Sequence, residues 1–549
     1  MVKRALYLLL AAVLLAVGAA QAEMRYVGKN DPLKTIQAAI DAAAKGDTIV
    51  VRDGLYAGAG NCDVDFAGKA VTLRSESGPD KCIIDCRGSA RDPHRGFIFH
   101  RGEGVASVLD GFTIINGSAQ AGGGICCVGA SPLIKNNVLL ANTAAAGGAI
   151  FCTGSSPTIV NNEIAANDAA SSAGICIAGT AGPIPQISGN VITGNSADTA
   201  GGLGCRETNA LVTGNVIAAN DGGGILCAAR WPGALSPTLV ANAISANAAP
   251  ALSGGGIAIS GCAAIAVANT ITANTALAGG GVLCSAAGGI VANNLIAGND
   301  ARQGGGVCIE NASERCVFIN NTLTANNAAD CGGAIACRNT AAAIVNCILF
   351  GDTAADGPEL ALLASPGPST LAVRYSCVAG RGMEYVEPGC TLNWFTGAID
   401  ADPLFADPAN GDFHLKSKAG RWSPSENGGQ GGWVSDARTS PCVDMGDPSS
   451  GFSREPSPNG TRINLGADGN TPEASKGTTR VRTVPGDANG DNVVDKTDME
   501  AVRGHINQKA ADADNWKYDV NGDGKIDVLD MIYIRNHLPK DKEEKTQKK

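Results

Sequence analysis

The sequence predicts an all-β protein, a right-handed parallel β-helix solenoid, followed by a small α-helical domain at the C-terminus. Two observations carry this prediction. Through the middle of the 549-residue chain, paired asparagines recur every 25 to 28 residues, and a fixed period in this range is typical of stacked structural repeats. Near the C-terminus, a twelve-residue stretch rich in aspartate and asparagine occurs twice, 32 residues apart.

The first 22 residues have the features of a secretory signal. Two basic residues precede an apolar run that is short for a membrane span, and small residues follow it up to Ala22. We therefore expect an exported protein without a membrane span, either secreted or attached to the cell surface. The formal net charge of −10 argues against nucleic acid as a partner.

The β-helix is assigned to residues 23–389, with a helix over residues 35–44 covering its open N-terminal end. Ile36, Ala39 and Ile40 fall on one face of that helix. A cover of this kind protects an unpaired strand edge, which would otherwise invite aggregation.

Each period contains three short apolar alternations separated by Gly, Asn or Ser-Pro, with no helix-length pattern between them. Three short strands per turn predict a parallel β-helix rather than a helical solenoid. The asparagines have two expected roles. They suit the left-handed turn conformation, and their amides can bond to the same amide one turn away. The pairs are Asn137/Asn142, Asn162/Asn167, Asn190/Asn195, Asn215/Asn220, Asn242/Asn247, Asn269/Asn274, Asn294/Asn299 and Asn321/Asn326, and the pattern fades at Asn346.

One residue of each turn, two places after a strand-start Ile, Leu or Val, is predicted to face the inside of the coil. Cys and Ile exchange at this position, which favours a stack of buried thiols over disulfides between neighbouring turns. The predicted inward residues are Cys127, Cys152, Ile177, Cys205, Cys227, Ile259, Cys284, Ile309 and Cys337. The better disulfide candidates are Cys62, Cys82, Cys86, Cys377, Cys390 and Cys442.

The repeat is absent after the β-helix. Residues 390–469 are predicted to form a C-terminal cap, and residues 470–485, rich in Thr, Gly and Pro, a linker. Residues 486–539 contain the duplicated acidic stretch, and residues 540–549 form a charged tail.

Each copy of the acidic stretch carries oxygen side chains at positions 1, 3, 5, 9 and 12, and position 7 can offer its backbone carbonyl. Calcium takes 6–8 oxygen ligands, and a loop with this spacing wraps around one ion. Since each loop leads into a short helix, the sequence predicts a duplicated loop–helix unit that binds two Ca²⁺ ions. The predicted ligands are Asp487, Asn489, Asp491, Val493, Asp495 and Asp498, then Asp519, Asn521, Asp523, Lys525, Asp527 and Asp530.

Over residues 485–539 this tandem resembles a type I dockerin domain, which carries Asp at position 12, as at Asp498 and Asp530 here. The resemblance implies a module that folds around calcium and docks onto a cohesin-type domain of another protein. It also implies that loop positions 10 and 11 and the following helix select the partner. The partner-binding residues implied are Lys496, Thr497, Arg503, Val528, Leu529 and Arg535. Because the two copies differ chemically there, interchangeable two-way docking is in doubt.

The N-terminal helix region and the segment 110–116 resemble the pectate-lyase-like β-helix superfamily, over about residues 25–450. This superfamily usually acts on acidic glycans, and dockerins usually carry plant-polysaccharide enzymes. The two resemblances therefore imply an extracellular polysaccharide as the target. Two functions stay open: a polysaccharide lyase or glycoside hydrolase, and a non-catalytic surface protein that binds glycan.

No complete catalytic set is found in the repeat, so catalytic residues stay unknown. Residues 122–350 contain nine acidic and six basic residues and no histidine. The best acidic column contains Asp168 and Asp221, which are expected two turns or about 10 Å apart, too far to share a metal ion. The string from Asp92 to His94 resembles the start of an alginate epimerase site, but Arg95 stands where its last acid belongs.

Overall fold

The computed structural model is all-β with few helices, and its strands stack in parallel from turn to turn, as predicted. It divides into two compact units, residues 1–225 and 226–549. The residues it describes are 22–179, 182–230, 235–286, 288–312, 316–460, 462–477, 486–489, 493–508, 515–521 and 525–538. The predicted signal up to residue 21, the charged tail and half of the predicted linker thus lie outside the described residues.

In the first unit, each regular turn passes through four strands, which belong to four parallel sheets that we call A to D in chain order. Sheet A contains Met24–Val27, Thr48–Val51, Thr72–Ser75, Val108–Asp110, Leu133–Lys135, Thr158–Val160, Gln186–Ser188 and Leu211–Thr213. Sheet B contains Gly54–Ala57, Cys82–Asp85, Thr113–Ile115, Val138–Leu140, Glu163–Ala165, Val191–Thr193 and Val216–Ala218. Sheet C contains Ser118–Ala121, Thr143–Ala146, Asp168–Ser171 and Ser196–Thr199. Sheet D contains Val64–Asp65, Phe97–Phe99, Ile125–Val128, Ile150–Thr153, Ile175–Ala178 and Leu203–Arg206.

The second unit has the same four-strand turn. Its sheet A contains Thr238–Val240, Ile265–Val267, Gly289–Ala292, Cys316–Ile319, Ala341–Val345, Thr370–Arg374 and Thr391–Trp394. Its sheet B contains Ala243–Ser245, Thr270–Thr272, Leu295–Ala297, Thr322–Thr324, Ile348–Phe350 and Cys377–Val378. Its sheet C contains Ala248–Ser253, Thr275–Ala278, Asp300–Gln303, Asn327–Cys331 and Thr353–Asp356. Its sheet D contains Ile257–Ser260, Val282–Ser285, Val307–Glu310, Ile335–Arg338, Leu360–Leu363 and Tyr385–Val386, and the strand Ile225–Ala228 lies at the unit boundary.

The fourth strand, in sheet C, corrects the prediction of three strands per turn. It follows the second asparagine of each pair, and its buried inward residue is an alanine, such as Ala169 or Ala301. Because alanine is small and the neighbours of these residues are exposed, the strand lacks the apolar alternation by which strands are recognised in a sequence.

The N-terminal helix α1, Ile36–Ala42, is present where the sequence predicts it. The Oγ1 atom of its N-cap residue Thr35 accepts a hydrogen bond from the Ala38 N–H at 3.3 Å. Ile36, Ala39 and Ile40 are buried, as the amphipathic pattern requires. Among the described residues, the remaining helices are α2 (Glu426–Gly429), α3 (Lys496–Arg503), α4 (Val528–His537) and the 3₁₀ turns Pro408–Asn410 and Asn515–Lys517.

Two columns of buried asparagines run along each unit. In the first, Asn137 Nδ2 donates to Asn162 Oδ1 at 3.1 Å, and the Asn137 backbone N–H donates to the same oxygen. The amide ladder was therefore predicted correctly, but the left-handed conformation was assigned to the wrong residue. It belongs to the residue before each ladder asparagine, such as Asn136 with φ 55°. Asn346 also has this conformation, with φ 56°, and Cys347 takes the next place in the column.

All nine predicted inward residues are at most 3% exposed, so the apolar stack inside the coil is confirmed. All nineteen cysteines lie within the described residues and none forms a disulfide; all of them except Cys390 are buried. The expectation of disulfides at six other cysteines is therefore wrong. The neighbouring Cys62 thiol and burial raise the pKa of Cys86, and burial and the neighbouring Cys377 thiol raise the pKa of Cys442. The Cys62 and Cys377 thiols donate to the carbonyl oxygens of Asp85 and Ala401.

The segment after the repeat does not simply close the end of the coil. It contains the antiparallel pairs Phe405–Asp407 with Asp412–Leu415 and Arg421–Ser423 with Gly432–Val434. Apolar side chains of this segment pack against Ile348 and Cys377 of sheet B. These apolar side chains are Ile399, Phe405, Leu415, Cys442, Val443 and Leu465.

The same segment returns along sheet B to turns much earlier in the chain. Asn293 Nδ2 donates to the carbonyl oxygens of Ala467 and Gly469 at 2.9 and 2.7 Å. Residues 470–477, assigned to the linker from sequence, also belong to it, since the Ser475 hydroxyl donates to the Leu415 carbonyl at 2.5 Å. We call residues 395–477 the return segment.

Candidate calcium and docking site

The aspartate at position 9 of each acidic loop starts the helix that follows. Asp495 Oδ1 accepts from the Thr497 N–H at 2.7 Å, which satisfies a backbone donor in the first turn of α3. Asp498 completes a capping box by accepting from the Asp495 N–H at 2.8 Å. Asp527 and Asp530 form the equivalent box at the start of α4. The hydrogen bonds from Thr497 also hold the pKa of Asp495 below its ordinary value, so its carboxylate stays charged.

The aspartate at position 12 ties the two ends of its loop together. Asp498 is fully buried, and its Oδ1 accepts from the backbone N–H groups of Ala488 and Asn489 at 2.8 and 3.0 Å. In the second copy, Asp530 Oδ1 accepts from the Asn521 N–H at 3.1 Å. Asp487 and Asp519, at position 1, are buried as well. Each copy therefore holds carboxylates at both ends of the loop out of bulk water.

These oxygen donors fit a hard cation such as calcium. No group of three or more His, Cys, Asp or Glu side chains within the described ranges is already arranged around one point. The position-5 ligands predicted from sequence, Asp491 and Asp523, lie outside the described residues, while the other predicted ligands lie within them.

The two copies share one hydrophobic core. Position 8 of each loop, Val494 and Ile526, is buried in it, together with Val502 of α3 and Ile534 of α4. Ala488 and Val520 complete the buried set. The two loop–helix units therefore form a single small domain, and neither could bury its apolar face alone.

The two helices present different surfaces at the predicted partner-binding positions. At the start of α4, Val528 and Leu529 are 60% and 51% exposed, and Ile532 is 44% exposed one turn later. The equivalent positions at the start of α3 are the exposed Lys496 and Thr497. Arg503 and Arg535 are exposed near the ends of the two helices. The apolar face therefore belongs to α4 alone.

The acidic column on the solenoid lies in sheet C. Asp168 is opposite Ser196, and Ser196 is opposite Asp221, so the two aspartates are two turns apart, as expected. At the N-terminal edge, His94 Nδ1 is 2.6 Å from Asp63 Oδ2, and both side chains are exposed. Neither arrangement brings together a closed catalytic set.

A histidine in the return segment was not singled out from the sequence. His414 Nδ1 is 2.6 Å from Asp412 Oδ1, and its buried Nε2 lies 3.9 and 3.8 Å from carboxylate oxygens of Asp468 and Glu473. Burial lowers the pKa of His414, but the bond to Asp412 and the nearby carboxylates outweigh burial and raise it overall. The cluster borders a cavity of about 90 Å³. The only signal in the sequence was the short string that contains Asp412 and His414.

Residues 485–539 match the family model described as dockerin type I domain, and residues 386–446 match the model described as disaggregatase related. No curated protein matches the sequence significantly. Within the described residues, no helix has both the length and the apolar character needed to cross a membrane.

Three solved structures of the catalytic domain of a GH87 alpha-1,3-glucanase are similar to the chain at 14% identity, over 69% of this chain and 69% of theirs. Two are complexes with nigerose, at TM-scores of 0.27 and 0.29, and one is a complex with tetrasaccharides, at 0.29. Type I dockerin domains generally bind calcium. The C-terminal domain of this chain, residues 485–539, thus matches the dockerin type I family, and it follows a parallel β-solenoid.

Proposed function

We propose that the chain is an exported protein that docks onto a scaffold or cell surface through its C-terminal domain and presents its solenoid to extracellular polysaccharide. The observation that carries the proposal is the match of residues 485–539 to the dockerin type I model, together with two loop–helix units built on one core. A dockerin implies a cohesin-type partner, and calcium holds the loops from which the docking helices start.

The domain takes up two calcium ions, one per loop, in this proposal. Each loop supplies an oxygen set that ends in a buried position-12 aspartate, Asp498 or Asp530. Isothermal calorimetry of the full chain, first stripped with EGTA, is expected to give two ions per chain, and one in the Asp530→Ala variant. Uptake of fewer than two ions by the parent protein would contradict the proposal.

Docking is proposed to use α4 in one orientation, because its exposed Val528, Leu529 and Ile532 can be buried by a partner at favourable free energy. The test is binding of the full chain to a panel of recombinant type I cohesin domains, with Ca²⁺ or with EGTA. Leu529→Asp is expected to abolish calcium-dependent binding, and the matched variant Thr497→Asp to leave it unchanged. Retained binding in both single variants, with loss only in the double variant, would indicate two-way docking, and binding to no cohesin would remove the docking proposal.

For the solenoid, a non-catalytic glycan-binding role is the second candidate beside polysaccharide cleavage. The glycan-binding role is favoured because the repeat contains few charged residues and because Asp168 and Asp221 lie two turns apart. The two candidates are separated by incubating the protein with pectin and alginate in the presence of calcium. We expect no absorbance from unsaturated uronate products. A clear signal would establish lyase activity instead.

A further inference from the structure

A groove on the second unit lies where strands of sheet C meet strands of sheet D. It has a volume of about 330 Å³, which falls within the range of small-molecule sites in proteins. Three successive turns build one wall, since Gln303 is opposite Cys331 and Cys331 is opposite Asp356. Residues that line the groove include Gln303, Asp330, Asp356, Leu363, Tyr385 and Glu387.

The floor of the groove is apolar, and one side carries an aromatic ring. Cys331 and Leu363 are buried against Ala361, in a cluster outside the coil. Tyr385 stands beside this floor with 37% of its surface exposed. An exposed phenol ring next to an apolar floor offers a flat surface to the C–H face of a sugar ring, while its hydroxyl can remain hydrogen-bonded.

The rim of the groove is anionic. Asp330 is paired with Arg302 at 2.7 Å, whereas Asp356 and Glu387 have no ion pair within the described part of the chain. Glu387 Oε2 accepts from the Ala364 N–H at 2.6 Å, which fixes its position. The charges of Glu387 and Asp356 raise the pKa of Tyr385. A ligand in the groove therefore meets two carboxylates without an ion pair, which accept hydrogen bonds and repel anions.

From this chemistry we propose that the groove binds a neutral glycan, whose hydroxyl groups donate to Asp356 and Glu387 while one sugar face packs on Tyr385. The inference rests on the proposed polysaccharide-binding function and narrows its ligand class. Glycans with carboxylate or sulfate groups are expected to bind more weakly, because each of their charges would approach a rim of the same sign.

The test compares polymers that share a backbone and differ in charge. The full chain with Ca²⁺ is run in affinity gels with hydroxyethylcellulose or carboxymethylcellulose, and with methyl-esterified or de-esterified polygalacturonate. We expect retardation by at least one neutral polymer, and binding of its charged form weaker by roughly tenfold at low ionic strength, with a smaller difference at high salt. Tyr385→Ala is expected to weaken neutral binding by roughly threefold to tenfold.

Variants separate this inference from the function on which it rests. The double variant Asp356→Asn/Glu387→Gln is expected to reduce the difference in affinity between the neutral and charged forms of a polymer. The control Asp168→Asn, in the first unit, is expected to leave the affinity for both forms unchanged. Polymer binding that is unaffected by Tyr385→Ala, or equal binding of both forms, would overturn the groove proposal and leave the polysaccharide function standing. Binding to none of the four polymers would overturn both.

Discussion

Replacing Asp498 by Asn tests whether the position-12 carboxylate holds the C-terminal domain together. The carboxylate accepts three backbone hydrogen bonds, from Ala488, Asn489 and Asp495, at 2.8 to 3.0 Å. An asparagine can keep the two bonds at Oδ1, but it turns an N–H₂ group toward the Asp495 N–H. One charged hydrogen bond is lost, a buried donor is left unpaired, and the other two bonds lose their charge.

A hydrogen bond to a charged group contributes about 1.5–3 kcal/mol, and an unpaired buried donor costs about 1–3 kcal/mol. Together these changes lower the free energy of unfolding of the domain by about 3–5 kcal/mol. A domain of the length of residues 485–539 has a total on the order of 3–8 kcal/mol. The variant is therefore expected to populate the unfolded domain when calcium is absent.

The assay is amide hydrogen exchange with mass spectrometry on the full chain in EGTA, read in peptides from residues 493–508 and 525–538. Asp498→Asn is expected to reduce protection there by a factor of roughly 100 to 3,000, and solenoid peptides should be unchanged. Glu500→Gln, at an exposed position of the same helix, is the control. Strong and equal protection in the two variants would refute the structural role given to Asp498.

Two further predictions concern the solenoid, and both are measured on the full chain by urea or thermal unfolding. Asn299→Ala removes the partners of the Asn274 N–H and the Ile271 carbonyl, and it should lower the free energy of unfolding by about 2–6 kcal/mol. The control Asn327→Ala, at an exposed position, should change the free energy of unfolding by less than about 0.5 kcal/mol. Similar effects of the two substitutions would show that the ladder is not a main source of stability. Burial raises the pKa of Glu359 from its ordinary value of 4.5 to about 10, next to Asp352, whose pKa burial raises to about 6. Because the folded pKa of Glu359 is raised, its contribution is fully present below pH 4.5 and is lost as the pH rises toward about 10. Melting temperatures between pH 5 and 10 should therefore fall less in Glu359→Gln than in the parent protein, and parallel curves would contradict this.

The amide ladder and the inward column were predictable because each depends on a repeat that can be counted along the chain. Asn137 and Asn162, for example, are 25 residues apart and are direct neighbours in the structure. The sheet C strand was missed because its inward residue is alanine, which gives no apolar signal. The return segment was predicted only as an end cap, and its contacts with earlier turns were missed. The hydrogen bond between Asn293 and Ala467 joins residues 174 apart, and no periodic pattern in the sequence indicates it.

The candidate sites divide in the same way. The proposed calcium loops are contiguous stretches, so the residue types and spacing within twelve positions were enough to propose oxygen donors in them. The groove needs Gln303, Asp356 and Tyr385 side by side, and the cluster at His414 needs Asp468 and Glu473. Nothing in the spacing of those residues indicates that they meet.

The sequence by itself determined the repeat, the apolar interior and the duplicated acidic loops, because all three arise from local periodicity and local backbone chemistry. The tertiary structure alone decided how far the apolar side chains of α4 are exposed, where the return segment lies and which outward side chains share a groove. Those features depend on contacts between distant turns, whose geometry is set by how the whole coil packs.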